Sequence, residues 1–200
     1  MDQLLRGYRR FRAHTWPSQR RRFEALAEQG QRPRALVIAC SDSRVDPGMI
    51  FHAAPGEIFV VRNVANLVPP YEPDGQYHGT SAAIEFAVLG LEVAHIIVMG
   101  HGMCGGIRAL LEGVPPPMGD FLTPWIRVAA PARRALECNP VDPQLACEYE
   151  SVRLSLANLR TFPWIVERIA DRRVMLYGVH FDVRTGVLAM LGPDDRFAPV

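Results

Sequence analysis

Four short apolar runs, each bounded by turn-forming residues, restrict the fold of this chain more than any other feature. Arg34 to Ala39 (RALVIA) ends at Cys40. Ile58 to Val61 (IFVV) lies between Pro55-Gly56 and Arg62-Asn63. His95 to Met99 (HIIVM) is stopped by Gly100, and Val174 to Tyr177 (VMLY) ends at Gly178. Short runs this rich in branched residues read as buried strands of a mostly parallel sheet. Helical patterns separate them. Thr80 to Leu91 sets Ala83, Phe86, Ala87 and Gly90-Leu91 on one side, and Gly106 to Glu112 is a short helix after a glycine pair. Phe121 to Glu137 and Gln144 to Arg160 read as longer helices, whereas Val114 to Pro117 is a rigid connector. Phe181 to Leu188 (FDVRTGVL) reads as a last strand, antiparallel on an edge. The expected fold is a single α/β domain over residues 1–200. It has a central mostly parallel β-sheet flanked by helices (30–200), an N-terminal helical arm (1–29) and an antiparallel edge strand near the C-terminus.

The arm is basic, with Arg6, Arg9, Arg10, Arg12, Arg20, Arg21 and Arg22. Leu4, Leu5, Tyr8 and Phe11 fall at near-helical spacing, so the arm reads as a helix with a solvated basic face, a transit peptide being the other reading. It lacks the apolar core of a secretory signal. Over the whole chain 22 basic residues meet 21 acidic ones, which gives no general case for nucleic acid or an anionic membrane as partner. No apolar run approaches the roughly 20 residues that span a bilayer. The expected location is cytoplasmic. Four cysteines in 200 residues are too sparse for a disulfide scaffold, and reduced thiols then read as metal ligands or nucleophiles.

Two of these cysteines lie where chemistry is expected. Cys40 opens Cys40-Ser41-Asp42-Ser43-Arg44 at the C-terminal end of the first strand, and His101-Gly102-Met103-Cys104-Gly105-Gly106 follows the third strand on the same edge. Open α/β sheets build sites there. If the two strands are neighbours, Cys40, His101 and Cys104 form a three-ligand zinc shell with a fourth position left over, the pattern of a catalytic site. The alternative is a pair of structural thiols beside a satisfied histidine. Cys104 and its glycines open a helix, whose backbone N–H groups favour the thiolate. Asp42 and Arg44, two apart on an extended segment, point to one side, and a forked pair would keep Asp42 ionised. Beside a zinc hydroxide such a carboxylate accepts the proton as a hydrogen bond and turns the oxygen lone pair toward substrate; a plain ion pair is the alternative. Cys138 and Cys147 read as ordinary thiols. His14, His52, His78, His95 and His180 have no metal spacing and read as structural, any of them able to shuttle protons. Asp182 and Arg184 read as a strand-face pair. Arg62 binds either an anion or a carboxylate within the fold.

The motifs together resemble the β-class carbonic anhydrases: CSDSRVDP at 40–47, PGEIFVVRNVANLVPPY at 55–71, GTSAAIEFAVLGL at 79–91 and MGHGMCGGI at 99–107, with SLANLRTFP at 155–163 and FDVRTGVL at 181–188. The resemblance covers most of the chain. It implies a zinc lyase that interconverts carbon dioxide and bicarbonate, with one Zn2+ per chain on Cys40, His101 and Cys104, and Asp42 and Arg44 as catalytic dyad. It places Gln31, Phe59, Val64, Phe86 and the Gly105 backbone around a small substrate pocket. It also implies a homodimer or higher even homo-oligomer with the arm over the partner and Gln31 serving the neighbouring site. The family has an open form, with water on zinc, and a closed form in which the aspartate becomes the fourth ligand. Closed members that bind regulatory bicarbonate tend to carry tryptophan where this chain has Val37, so Val37 and the plant-like VPPY at 68–71 favour the open form. Phe86 replaces the tyrosine of plant-like members and removes a polar contact. Two thiolates should make zinc acidify water less than three histidines would. Three competing readings share parts of this pattern: a hydrolase of carbon disulfide or carbonyl sulfide, a silent zinc-binding scaffold, and a thiol redox protein using Cys40 and Cys104.

Overall fold

A computed structural model describes residues 1–136 and 140–200; Cys138, read above as an ordinary thiol, lies outside the described residues. In chain order the helices are α1 (Asp2–Arg10), α2 (Trp16–Gln29), α3 (Pro47–Ile50), α4 (Gly79–Glu85), α5 (Gly105–Glu112), α6 (Leu122–Ile126), α7 (Ala130–Arg134), α8 (Pro143–Leu159) and α9 (Pro163–Ala170). The strands are β1 (Ala35–Cys40), β2 (Ile58–Asn63), β3 (His95–His101), β4 (Met175–Phe181), β5 (Leu188–Leu191) and β6 (Phe197–Pro199). They form one sheet in the order β2-β1-β3-β4-β5-β6. The first four are mutually parallel and the last two antiparallel.

Every residue of β1 is buried, which explains its unbroken apolar sequence: helices cover both faces of the sheet. Leu36, Ile38, Ile96 and Val98 pack on one face with Val152 and Leu159 of α8. Val37, Ala39 and Met99 pack on the other with Ile107 and Leu110 of α5.

Two strands run further than their sequence suggests. Gly100 and Gly178 lie inside β3 and β4 and do not end them. A Cβ on Gly100 would sit 2.8 Å from Val152 Cγ2, and one on Gly178 would sit 2.8 Å from Val152 Cγ1 and 2.9 Å from Leu156 Cδ1. These glycines let α8 press onto the sheet, and the extension carries β3 as far as His101. Val152 is β-branched and fully buried, so it has little room to yield. Gly178→Ala is therefore expected to cost about 1–3 kcal/mol by overpacking, read as a lower denaturation midpoint in urea. An unchanged midpoint would show that the contact relaxes.

Three other expectations are corrected. Phe181 to Leu188 is no strand: the chain reverses within it. Asp182 Oδ1 accepts from Arg184 N (2.8 Å) and Oδ2 from Thr185 Oγ1 (3.0 Å), with Gly186 at φ 73°. Side-chain hydrogen bonding of this kind favours a turn, so Asp182 and Arg184 are turn residues. The helix expected over 121–137 is broken into α6, a 3₁₀ turn at Arg127–Ala129 and α7. Pro131, with no N–H to donate, stands at the start of α7. The helix from Gly79 changes to a π turn at Phe86–Gly90. That extra residue per turn rotates the buried face, so Ile84, Ala87 and Val88 are buried while Phe86 is 53% exposed.

The arm is helical from Asp2 to Gln29, through a π turn at Phe11–Thr15, and none of these helical segments buries a residue. Arg22 tethers it, donating from Nε to Pro55 O (2.6 Å) and from Nη2 to Glu57 Oε1 (2.9 Å). Leu4, Leu5, Tyr8 and Phe11 stay exposed. Among the described residues no helix is long and apolar enough to cross a membrane.

Candidate metal centre

The sheet order brings the two cysteine motifs together. β1 and β3 are paired neighbours, Ala39 opposite Met99, so their final residues Cys40 and His101 emerge side by side. A two-residue bend through Gly102 and Met103 (φ 59°) then returns the chain to Cys104, the N-cap of α5. The ligand atoms of Cys40, His101 and Cys104 all lie within 4.8 Å of one another, and the two sulfurs are 4.0 Å apart. All three residues are buried, at 5%, 0% and 1% exposure.

The histidine supplies the test of fit to a metal. Its Nδ1 lies 3.0 Å from Gly102 O, a contact that requires the proton on Nδ1 and leaves the Nε2 lone pair free. Nε2 is buried without a partner. A buried polar nitrogen left unpaired costs free energy, and here it stands in the same cluster as two sulfurs. Two sulfurs and an imidazole suit zinc in kind and number. The two sulfurs also perturb each other. Cys40 shares a hydrogen bond with Cys104 that pulls the Cys40 thiol well below its ordinary value. The same contact, with burial, drives the Cys104 thiol upward, against the N–H groups of Gly106 and Ile107 that favour its thiolate. Burial lowers the His101 imidazole, but the neighbouring Cys40 sulfur and its charge outweigh burial and raise it overall.

Asp42 and Arg44 sit on a turn, not on the extended segment expected. Val45 N donates to Asp42 O (3.2 Å) and Arg44 N to Asp42 Oδ1 (2.9 Å). The fork forms there: Arg44 Nε donates to Oδ1 (2.9 Å) and Nη2 to Oδ2 (2.7 Å). These hydrogen bonds hold the Asp42 carboxyl far below the usual carboxylate range. Arg44 Nη2 also donates to Met103 O (3.1 Å), tying the pair to the bend between His101 and Cys104. Arg62 binds within the fold: Nε donates to Cys40 O (2.9 Å), Nη2 to Asp42 O (2.6 Å), and Nη1 reaches Asp46 Oδ2 (3.3 Å). Ala65, at φ 67°, donates its N–H to Cys40 Sγ (3.4 Å).

The residues expected around the substrate divide into two groups. Val64 precedes Ala65, and Gly105 follows Cys104; both line a cavity of about 720 Å³ with Gly106, Met118 and Leu122. Gln31, Phe59 and Phe86 do not join them within one chain. Gln31 is exposed before β1, so the whole strand, about 17 Å at 3.3 Å per residue, separates it from Cys40. Phe59 pairs with Leu36, four positions back from the Asn63–Cys40 pair, and its ring lies 5.8 Å from that of Phe86.

Sequence reasoning missed Glu148. It is buried in α8, where Oε1 accepts from Cys104 N (2.9 Å) and Gln144 Nε2 (2.7 Å), and Oε2 lies 3.0 Å from His180 Nε2. Its one signal is periodicity, since it shares a buried helical stripe with Ser151, Val152 and Ser155. Cys147 beside it is buried, and burial followed by the charge of Glu148 pushes its thiol up to about 11, as suits an inert structural cysteine.

Comparison with known proteins identifies the family and the fold. The family model described as carbonic anhydrase matches residues 35–188. Beta carbonic anhydrase 3 of Arabidopsis thaliana is 33% identical over the full chain and 80% of its own length. The β-carbonic anhydrase CcaA superposes with a TM-score of 0.90 at 32% identity, covering 100% of this chain and 99% of the other. One of two tetrameric β-carbonic anhydrases from Sordaria macrospora gives 0.81 at 31%, covering 96% of each chain. From the buried Cys-His-Cys cluster to the full length of the sheet, the chain belongs to the carbonic anhydrase family, in its β class.

Proposed function

We propose that this β-class carbonic anhydrase hydrates carbon dioxide reversibly to bicarbonate and a proton at one Zn2+ held by Cys40, His101 and Cys104, with Asp42 and Arg44 as the catalytic pair. The observation that carries this reading is the unpartnered Nε2 of His101, buried in one cluster with two sulfurs, beside a carboxylate forked to an arginine. When bound, zinc supplies the Lewis acidity that lets water ionise near neutral pH.

The protein's part follows from its hydrogen bonds. An ionised carboxylate only accepts. Asp42 Oδ1 takes two Arg44 donors and Oδ2 takes one, so Oδ2 keeps a lone pair for a hydroxyl placed beside it. Accepting a hydrogen bond from that hydroxyl turns the oxygen's own lone pair toward the substrate. Val64 offers an apolar wall suited to a small uncharged molecule, and the Gly105 backbone, with no side chain, lets that molecule approach closely. Because both carboxylate oxygens face Arg44 and the cluster closes without Asp42, the arrangement favours the open form over one with Asp42 as fourth ligand.

The division into arm (1–29) and core (30–200) belongs to the same reading. Exposed Leu4, Leu5, Tyr8 and Phe11 fit a homodimer or higher even homo-oligomer in which the arm crosses a partner. Gln31, Phe59 and Phe86 would then complete the pocket of a neighbouring chain. Described cysteines that are all free fit a reducing, cytoplasmic setting, and the near-balanced charge gives no reason to add nucleic acid or membrane as partner. The test is metal content per chain together with headspace assays on carbon dioxide, carbon disulfide and carbonyl sulfide. One zinc per chain and turnover of carbon dioxide are expected. Zinc with turnover of the sulfur compounds alone would reassign the substrate, and a chain that binds no zinc would overturn the reading.

A further inference from the structure

The bend from His101 to Cys104 carries Met103 at φ 59°, a region uncommon for a residue with a side chain, so the position of Cys104 depends on what anchors the bend. On one side Arg44 holds Met103 O, and Gly102 N donates to Phe181 O (2.9 Å). On the other side the anchor is a side chain from a different element. Glu148 Oε1 accepts the N–H of Cys104 (2.9 Å), while Gln144, one turn earlier on α8, donates from Nε2 both to Cys104 O (3.0 Å) and to that same Oε1 (2.7 Å). Both backbone polar groups of Cys104 are thus gripped by α8.

The start of α5 cannot do this for itself. In a capping box the residue three positions into the helix reaches back to the N-cap amide, and here that residue is Ile107. Glu148 takes its place from outside. It is fixed in turn: it is 3% exposed, His180 beside it is 2% exposed, and Oε2 lies 3.0 Å from His180 Nε2. Tyr149 closes over that imidazole, ring centroids 4.9 Å apart.

We propose that Glu148, braced by His180 and assisted by Gln144, is the positioning residue for the Cys104 sulfur: it sets the distance and direction of Cys104 Sγ relative to Cys40 and His101 and so the metal affinity and ligand geometry of the site. This rests on the reading of Cys104 as a zinc ligand. Outer partners that orient a ligand typically change metal affinity 10–100-fold when removed.

The test measures zinc affinity by chelator competition and the absorption bands of the cobalt-substituted protein, which report thiolate geometry independently of turnover. Glu148→Ala is expected to bind zinc 10–100-fold more weakly and to shift the cobalt bands. Glu148→Gln retains an acceptor oxygen for Cys104 N–H and is expected to bind more tightly than Glu148→Ala and closer to wild type. Gln144→Met, at a half-buried position, is expected to weaken binding several-fold, and it decides the matter if Glu148→Ala does not fold. Wild-type affinity and an unshifted cobalt spectrum in the folded variants would overturn the proposal, as would a Glu148→Gln protein as weak as Glu148→Ala. A wild-type chain that takes up neither metal would instead overturn the zinc reading, so the two failures are distinguishable.

Discussion

Asp42→Asn is expected to keep its zinc and to lose roughly 10²–10³-fold in carbon dioxide hydration, the scale on which one preorganised hydrogen-bonding group acts. The substitution is nearly isosteric and spares Cys40, His101 and Cys104. It replaces an acceptor-only group with one carrying an NH2. Arg44 presents three donors to the present carboxylate, two at Oδ1 and one at Oδ2. An asparagine must turn its single oxygen toward some of them, which leaves the NH2 either against the guanidinium or facing the reacting oxygen. In the first case the fork is broken, and in the second a donor stands where an acceptor is required. The wild-type carboxyl is held far below the usual carboxylate range by Arg44, so near neutral pH the acceptor is fully ionised and the loss does not depend on small changes of pH. Metal content and initial rate are measured on the same sample. Unchanged rate with full zinc would remove Asp42 from the mechanism. Loss of zinc would show instead that Asp42 serves the metal directly.

Much of this site was legible because it is local in sequence. Cys40 ends a run of buried branched residues, and His101 and Cys104 flank a single bend, so strand recognition alone put three ligands on one edge. The Asp42–Arg44 fork followed from spacing of two, although the backbone there is a turn. What the sequence concealed depends on approach between distant elements. Gly100 and Gly178 look like strand stops in a linear reading, yet they are where Val152, 52 and 26 residues away, presses onto the sheet. Phe181 to Leu188 alternates like a strand, and only the Asp182 hydrogen bonds show the reversal. Glu148 is 44 residues from Cys104, and periodicity marks it as buried without saying what it binds. Arg62 was visible as a cation at a strand end, but its partners are mostly carbonyls, of Cys40 and Asp42, which a sequence does not advertise. The single chain also leaves Gln31, Phe59 and Phe86 away from Cys40, a separation that follows from strand length and register and that motif matching cannot see.

Cys104→Ser separates the metal from the fold, because it acts on the two in opposite directions. Serine is close in size to cysteine, but its hydroxyl does not ionise near neutral pH and is a poor match for a site otherwise built of sulfur and imidazole. Removing a ligand outright is expected to weaken zinc by more than the 10–100-fold that loss of an outer partner costs, and hydration should fall to background with it. The metal-free fold should not suffer. Cys104 is the N-cap of α5 and makes no side-chain cap hydrogen bond, whereas serine is among the preferred N-cap residues and brings an oxygen to the free N–H groups of the first turn. The substitution also removes the close approach of two buried sulfurs, 4.0 Å apart. Each tenfold of metal binding adds about 1.4 kcal/mol to the folded state when metal is in excess. Wild type should therefore melt higher as zinc is added. The serine protein, melting at or above the metal-free wild type, should not respond. Zinc-dependent melting in Cys104→Ser would place the third ligand elsewhere. A metal-free protein that fails to fold would show that Cys104 holds the bend by more than its sulfur.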